Sequence, residues 1–324
     1  MKGPNFIVFR LLSLIAGIDW IRFCLVFLAL LIDVLAQPCR LIAQEPELDA
    51  QFHWQEAETL HTGIEHLAIK VTQPRRMNIH CIRVDTATPG LTFCTTGRIA
   101  QWQPGKQETR RQTVRDFMRD ARARGVPVVV AINGDSFSPW PAPYAAQDPT
   151  DLNGLAVSEG TLVSPAVDTP SLIIAKDGSL RIDNLTEDAD LSNIQLAVSG
   201  FALCLSQGQV QPSGRDLHPR TGIGLSQNGT QLFLMTIDGR QPESRGATVS
   251  ELGNLLLKAG AYTGINMDGG GSTTLAVWRQ SPEEDQPCQL LNLPVGSGRS
   301  YTEGAEPLSP TERANGNNFG IAVP

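Results

Sequence analysis

An asparagine and an aspartate two residues apart, Asn266 and Asp268, run directly into Gly269, Gly270 and Gly271 and then Ser272, Thr273 and Thr274. On an extended segment such residues share one side, so Asn266 and Asp268 point together. Three successive glycines reach positive φ without strain and bring bare N–H groups against a ligand as a concave nest for anions. Asp-Gly-Gly alone marks a tight turn; repetition lifts this one above a turn. Ile132-Asn133-Gly134-Asp135 matches Ile265-Asn266-Met267-Asp268, and each follows a helical pattern, a glycine and an apolar run. That order predicts two strand ends presenting Asn and Asp to one shared site. A third loop joins them. Pro219-Arg220-Thr221-Gly222-Ile223-Gly224 opens a strand whose hairpin partner ends at Asp238-Gly239-Arg240, so Arg220 and Asp238 fall at the same hairpin end.

The elements that must carry these loops are legible as periodicities. Glu108 to Arg124 reads as a helix with Val114, Phe117, Met118 and Ala121 on one face, a capping box from Thr109 to Gln112 and Gly125 as its stop. Thr248 to Ala259 repeats the design, with Thr248 and Glu251 as the box and Gly260 as the stop. The rest is short strands between turn signals: Glu159-Gly160, Asp177-Gly178 and Asn228-Gly229 each separate two apolar runs, as hairpins do. Cys81 and Cys94 sit symmetrically about Thr86 to Gly90, which reads as a hairpin joining Met77–Asp85 to Leu91–Thr95 with a disulfide across it. The expected fold class is α+β, a strand-rich mixed sheet with several hairpins and two main helices.

At 324 residues, 41% hydrophobic and 18% charged, the chain can bury a full core. A net charge of -7 argues against a nucleic-acid surface, which would need a basic stripe. Residues 1–36 combine Lys2 and Arg10 with apolar runs and end in Val34-Leu35-Ala36, the make-up of a signal peptide or of an N-terminal membrane anchor. Either expectation places the body outside the cytoplasm, with contact to a membrane only through this segment. Residues 37–66 read as a spacer and 67–324 as the working domain.

Other chemistries fit less well. The glycine run lacks the lysine of a nucleotide P-loop, and no Gly-x-Ser-x-Gly elbow is present. Asn266-x-Asp268-x-Gly270 starts like a calcium loop, but Val277 stands where the closing Glu belongs, so no metal or other cofactor is called. Taken together, Asn133-Gly134-Asp135-Ser136-Phe137, Pro219 to Gly224, Asp238-Gly239-Arg240, Asn266 to Thr274 and Asn315-Gly316-Asn317-Asn318-Phe319 make the chain resemble the phosphodiester glycosidase family, in that family's motif order. Asp135 and Gly222 stand where members often carry Gly and Ala. The resemblance implies cleavage of a sugar-1-phosphodiester, and the leader implies a surface or extracellular glycan as substrate.

The leaving group is then a phosphomonoester, whose second pKa near 6 means that little acid help is needed. The site must supply a cradle for phosphate and a carboxylate for the oxocarbenium-like carbon. Asp268 is the first choice for that carboxylate and Asp238 the second. Arg220, Arg240, Gly269, Gly270, Gly271, Ser272 and Thr273 are assigned to the phosphate, and Asn133, Asp135 and Asn266 to the sugar or to orienting the acids. The competing reading is a non-catalytic phosphoglycan-binding protein of the cell envelope.

Overall fold

The computed structural model describes residues 48–139, 145–279, 287–296 and 310–324. The leader-like segment 1–36 lies outside them, as do Cys24 and Cys39. Among the described residues no helix is long and apolar enough to cross a membrane.

The largest sheet runs in the order β1 (Glu58–His61), β2 (Ile64–Val71), β3 (Met77–Asp85), β17 (Gln231–Ile237), β16 (Arg220–Leu225), β18 (Thr263–Asn266), β14 (Ala202–Ser206) and β15 (Gln209–Val210). A second sheet runs β20 (Cys288–Leu290), β19 (Leu275–Trp278), β6 (Val128–Asn133), β21 (Asn318–Ala322) and β4 (Thr92–Thr95). A third runs β10 (Thr161–Ser164), β9 (Ala156–Ser158), β13 (Ile194–Ser199), β11 (Pro170–Ala175) and β12 (Leu180–Asn184). A small one joins β5 (Thr109–Arg110), β8 (Pro149–Leu152) and β7 (Phe137–Ser138). Among the described residues the body is mostly β with two α-helices, α+β in the loose sense. The pairings of these strands are antiparallel, in several sheets rather than one mixed sheet.

Strand alternation explains the layering. On β3, Ile82 and Val84 join a core shared with Val130 and Ile132 of β6 and Leu172 of β11, while Met77, Ile79 and Cys81 face the opposite side. That opposite side is covered by α2 (Val249–Ala259) through Leu252, Leu255 and Leu256. The outer face of the second sheet is covered by α1 (Val114–Ala123) through Phe117 and Met118. The three larger sheets therefore share one apolar interior, with a helix on the far side of two of them.

The hairpins at Glu159-Gly160, Asp177-Gly178 and Asn228-Gly229 form as expected. The capping box of α2 is present, with the Thr248 side chain accepting from Glu251 N and the Glu251 side chain accepting from Thr248 N, and Gly260 ends the helix in the left-handed region.

Three expectations need correction. α1 begins at Val114, capped by Thr113 through Asp116 N at 3.1 Å, not at Glu108 with Thr109 and Gln112 as the box. Thr109 lies in β5, and the buried Glu108 carboxylate instead accepts from Gly105 N and Leu152 N, each at 2.9 Å. β3 and β4 are not a hairpin: β3 pairs with β2 and β17, β4 with β21. Cys81 packs under α2 and Cys94 under α1, so the two thiols sit in different layers and are free, as are Cys204 and Cys288. Finally, residues 48–66 are not all spacer. Leu48 and Ala50 are buried, and β1 and β2 edge the largest sheet.

Candidate active site

β18 ends at Asn266 between β16 and β14, and the chain then passes through Met267 and Asp268 into the glycine loop. The expected convergence of the two repeated motifs is observed. Asn133 at the end of β6 donates from Nδ2 to the Asp268 carbonyl at 2.7 Å, and its Oδ1 accepts from the Thr221 hydroxyl at 2.8 Å and Thr274 N at 3.1 Å. One buried amide side chain thus ties three motifs together.

A cleft of about 490 Å³ opens here, lined by Asn266, Asp268, the three glycines, His218, Arg220, Arg240 and Arg313 among others. Asn266 Oδ1 and Asp268 Oδ2 are buried with no hydrogen-bond partner, although both residues face the cleft. Buried polar atoms are rarely left so, and a ligand is the natural partner. Burial pushes the Asp268 carboxyl up to about 6, against the opposing pull of the Ser272 hydroxyl and the Arg313 charge.

Arg220 donates from Nε to Ala247 O at 2.9 Å and from Nη2 to Asp216 O at 3.0 Å, so its guanidinium is held in place by carbonyls and not neutralised by an acid. No Arg220–Asp238 ion pair is formed: the hairpin register places their backbones together, but the side chains diverge. Arg240 Nη2 lies 3.3 Å from His218 Nδ1. The arginine can only donate, so that nitrogen accepts and the ring proton sits on Nε2. Burial and the charges of Arg220 and Arg240 push the His218 pKa down, which keeps the imidazole neutral. Arg313 donates to the Ser272 hydroxyl and to Gly296 O, each at 3.1 Å. The cleft therefore combines three arginines and one carboxylate, Asp268.

The glycines serve close approach more than anion binding. Gly270 N is spent on Pro219 O at 2.8 Å and Ser272 N on Gly269 O at 3.1 Å, so the loop is not a nest of three free amides. A Cβ on Gly271 would run into the Gly296 carbonyl and the Arg313 guanidinium. The arginines, packed down onto this thin loop, supply the positive charge.

Several residues of the right type turn away from the cleft. Asp238 is buried, with Oδ1 accepting from Asn292 Nδ2 at 3.1 Å and Leu293 N at 3.0 Å. Asp135 accepts from Ser199 N at 2.8 Å and Asn317 Nδ2 at 2.7 Å. Asn133 is the internal tie described above. Ser272 braces Asp268 from beneath, and the buried Thr273 uses its carbonyl to hold Asn292. The reading of sequence missed His218, beside the Pro219-Arg220 motif, and Arg313, two residues before the Asn315-to-Phe319 motif. It also missed Ser136, Phe137, Asn153, Phe201 and Met267 on the cleft wall.

Asp135 supports a stability prediction. Burial raises its carboxyl to about 8, above the unfolded value of about 3.9. The folded state then holds a proton that the unfolded state has lost, so the resulting stability is complete below pH ~4 and disappears as pH rises through 8. Asp135→Asn turns an amide donor toward Asn317 Nδ2. It should cost about 1–3 kcal/mol at pH 6 and flatten the loss of stability between pH 6 and 8, both readable by thermal denaturation across pH.

A family model described as phosphodiester glycosidase matches residues 127–321. The chain is 31% identical over 149 residues to the N-acetylglucosamine-1-phosphodiester alpha-N-acetylglucosaminidase of Bos taurus, covering 38% of this chain and 28% of that protein. It is 28% identical over 185 residues to a prophage-derived uncharacterized protein of Bacillus subtilis (strain 168), covering 52% of this chain and 26% of that one. The match thus spans little more than a quarter of either relative's length. Among solved structures, the zebrafish N-acetylglucosamine-1-phosphodiester alpha-N-acetylglucosaminidase catalytic domain, auto-inhibited by its pro-peptide, superposes with a TM-score of 0.58 at 20% identity over 83% of this chain and 87% of that chain. A hypothetical protein from Synechocystis does so with a TM-score of 0.53 at 15% identity over 87% and 65%. At these identities the two structures establish a shared fold.

Proposed function

The chain belongs to the phosphodiester glycosidase family, and from that premise we propose that it hydrolyses the bond between an anomeric carbon and phosphate in a glycosyl-1-phosphodiester of a surface or extracellular glycan. The observation that carries this reading is the pairing of one buried carboxylate, Asp268, whose Oδ2 has no partner, with three arginines around the same cleft. The arginines hold the phosphodiester and take up charge as the C–O bond breaks; guanidinium forks suit phosphate oxygens. Water adds to the anomeric carbon, the electron pair of the broken bond leaves with the phosphomonoester, and the proton from water passes to Asp268 or to solvent. Asp268 acts in its charged form, as a base toward water or as a stabiliser of the oxocarbenium-like carbon. Neutral His218 and Asn266 contribute a donor and an acceptor for hydroxyls.

Screening sugar-1-phosphodiesters by phosphorus NMR tests the activity: a phosphomonoester signal is expected, and intact diesters throughout would overturn it. The charged form of Asp268 forms as pH rises through about 6. Accordingly kcat/KM should climb tenfold per pH unit below 6 and level off above it. A profile that falls across that range would assign Asp268 the role of an acid. The leader-like residues 1–36 support export as part of this proposal; a mature N-terminus at Gln37 in a soluble exported fraction is expected if the leader is cleaved, and intact Met1 on membrane-bound protein would make it an anchor.

A further inference from the structure

Next to the cleft lies a second cavity of about 330 Å³, and the two share Ser136, Asn153 and Phe201 on their walls. Phe201 is 56% exposed and Val167, also on this chamber, is 58% exposed. Of the three large apolar side chains that stand exposed among the described residues, two flank this one chamber. Scattered exposed apolar residues need no explanation, but two facing one cavity do.

Phe201 is fixed in place. Its N–H donates to Asn266 O at 2.9 Å, and Gly200 N donates to Pro170 O at 2.9 Å. A Cβ on Gly200 would lie 2.6 Å from the Asn266 carbonyl, so only glycine lets the turn approach this closely. Behind it, Ser199 N is held by the Asp135 carboxyl group, which gives that buried acid its use. The Phe201 backbone is thus anchored beside Asn266, and its exposed ring stands at the passage from cleft to chamber.

The chamber's polar wall is acidic. Glu108 and Asp151 stand on it within hydrogen-bonding reach of each other, and burial pushes both carboxyls up. Thr169 Oγ1 on the same wall is buried without a hydrogen-bond partner.

We propose that this chamber is a carbohydrate subsite that takes one sugar residue, its apolar C–H face against Phe201 and Val167, and that its acidic wall selects neutral or amino sugars over sugars carrying a carboxylate. A volume near 330 Å³ is at the low end for ligand pockets, which suits a single ring. Aromatic surface supplies the apolar contact, and a carboxylate brought beside Asp151 meets like charge. That this sugar belongs to the same substrate as the cleft-bound phosphate rests on the glycosidase reading above.

Two measurements test this. Saturation-transfer NMR uses free N-acetylglucosamine, glucosamine and glucuronate as probes on the full chain. Transfer is expected to the first two and not to glucuronate, and Phe201→Ala, a surface truncation, should reduce it at least threefold. Kinetics use the methyl phosphodiesters of the same three sugars. Phe201→Ala should raise KM about tenfold with kcat held within twofold, and Asp151→Asn should narrow the discrimination against the glucuronate substrate at least fivefold. Absent transfer to neutral sugars, equal transfer in Phe201→Ala, or unchanged discrimination in a folded Asp151→Asn would overturn the subsite. Phe201-dependent transfer in a protein that cleaves no phosphodiester would uphold it and overturn the hydrolase reading alone.

Discussion

Asp268→Asn should lower kcat by roughly 10²-fold or more, the scale lost with one positioned acid or base, while substrate binding survives or tightens. The tightening follows from charge. A carboxylate buried beside a phosphodiester repels it in the ground state, a cost that helps only if the same charge stabilises the transition state more. The substitution is nearly isosteric, and the Ser272 hydroxyl, which donates to Asp268, still finds an amide oxygen. A melting temperature near the parent's, steady-state kinetics and direct binding of substrate read all three quantities. Parental turnover would falsify the role of Asp268. This variant also separates the hydrolase from the phosphoglycan-binding alternative: a binder has no use for a buried acid facing its anion, so it would gain affinity and lose nothing.

Arg220→Ala should cost about 10²–10³ in kcat/KM, comparable to removing one donor that meets developing negative charge, with loss in both binding and turnover because the phosphodiester is charged throughout. Arg220→Lys should recover only part of it, since an ammonium reaches one oxygen where the fork reaches two. The side chain is half-buried and donates to the carbonyls of Ala247 and Asp216, so circular dichroism and melting must accompany the kinetics. If both variants match the parent on a phosphodiester it cleaves, the guanidinium only braces the 216–220 turn.

What could be read from sequence was what depends on neighbours in the chain. The capping box at Thr248, the hairpin turns and the apolar face of α1 are local events, and they form as expected. The convergence of Asn133 with Asp268 was legible because the same four-residue pattern ends two strands. Which carboxylates face the cleft was not. Asp238 and Asp268 each follow a strand, but Asn292 and Leu293, more than fifty residues on, capture Asp238 and turn it inward. Asp135 is drawn inward by Asn317 in the same way. Arg313 has no local signature at all: it enters the cleft because β21 pairs with β6 and delivers the preceding segment to the glycine loop. Glu108, read as the first residue of a helix, is instead held by the Gly105 amide of its own loop and by the Leu152 amide, which arrives from 44 residues on.

The position of β21 between β6 and β4 bears on how the protein is made. A ribosome that has emitted the chain as far as residue 310 has released every other strand of that sheet, yet β6 and β4 still lack their shared neighbour. Two unpaired edges are a hazard for sticking to other chains, and their closure waits for a segment almost two hundred residues from β6. Arg313 travels in the same late segment, so the third arginine arrives with the strand that seals the sheet. Half-made or clipped molecules would therefore carry both open edges and lack Arg313 beside the glycine loop.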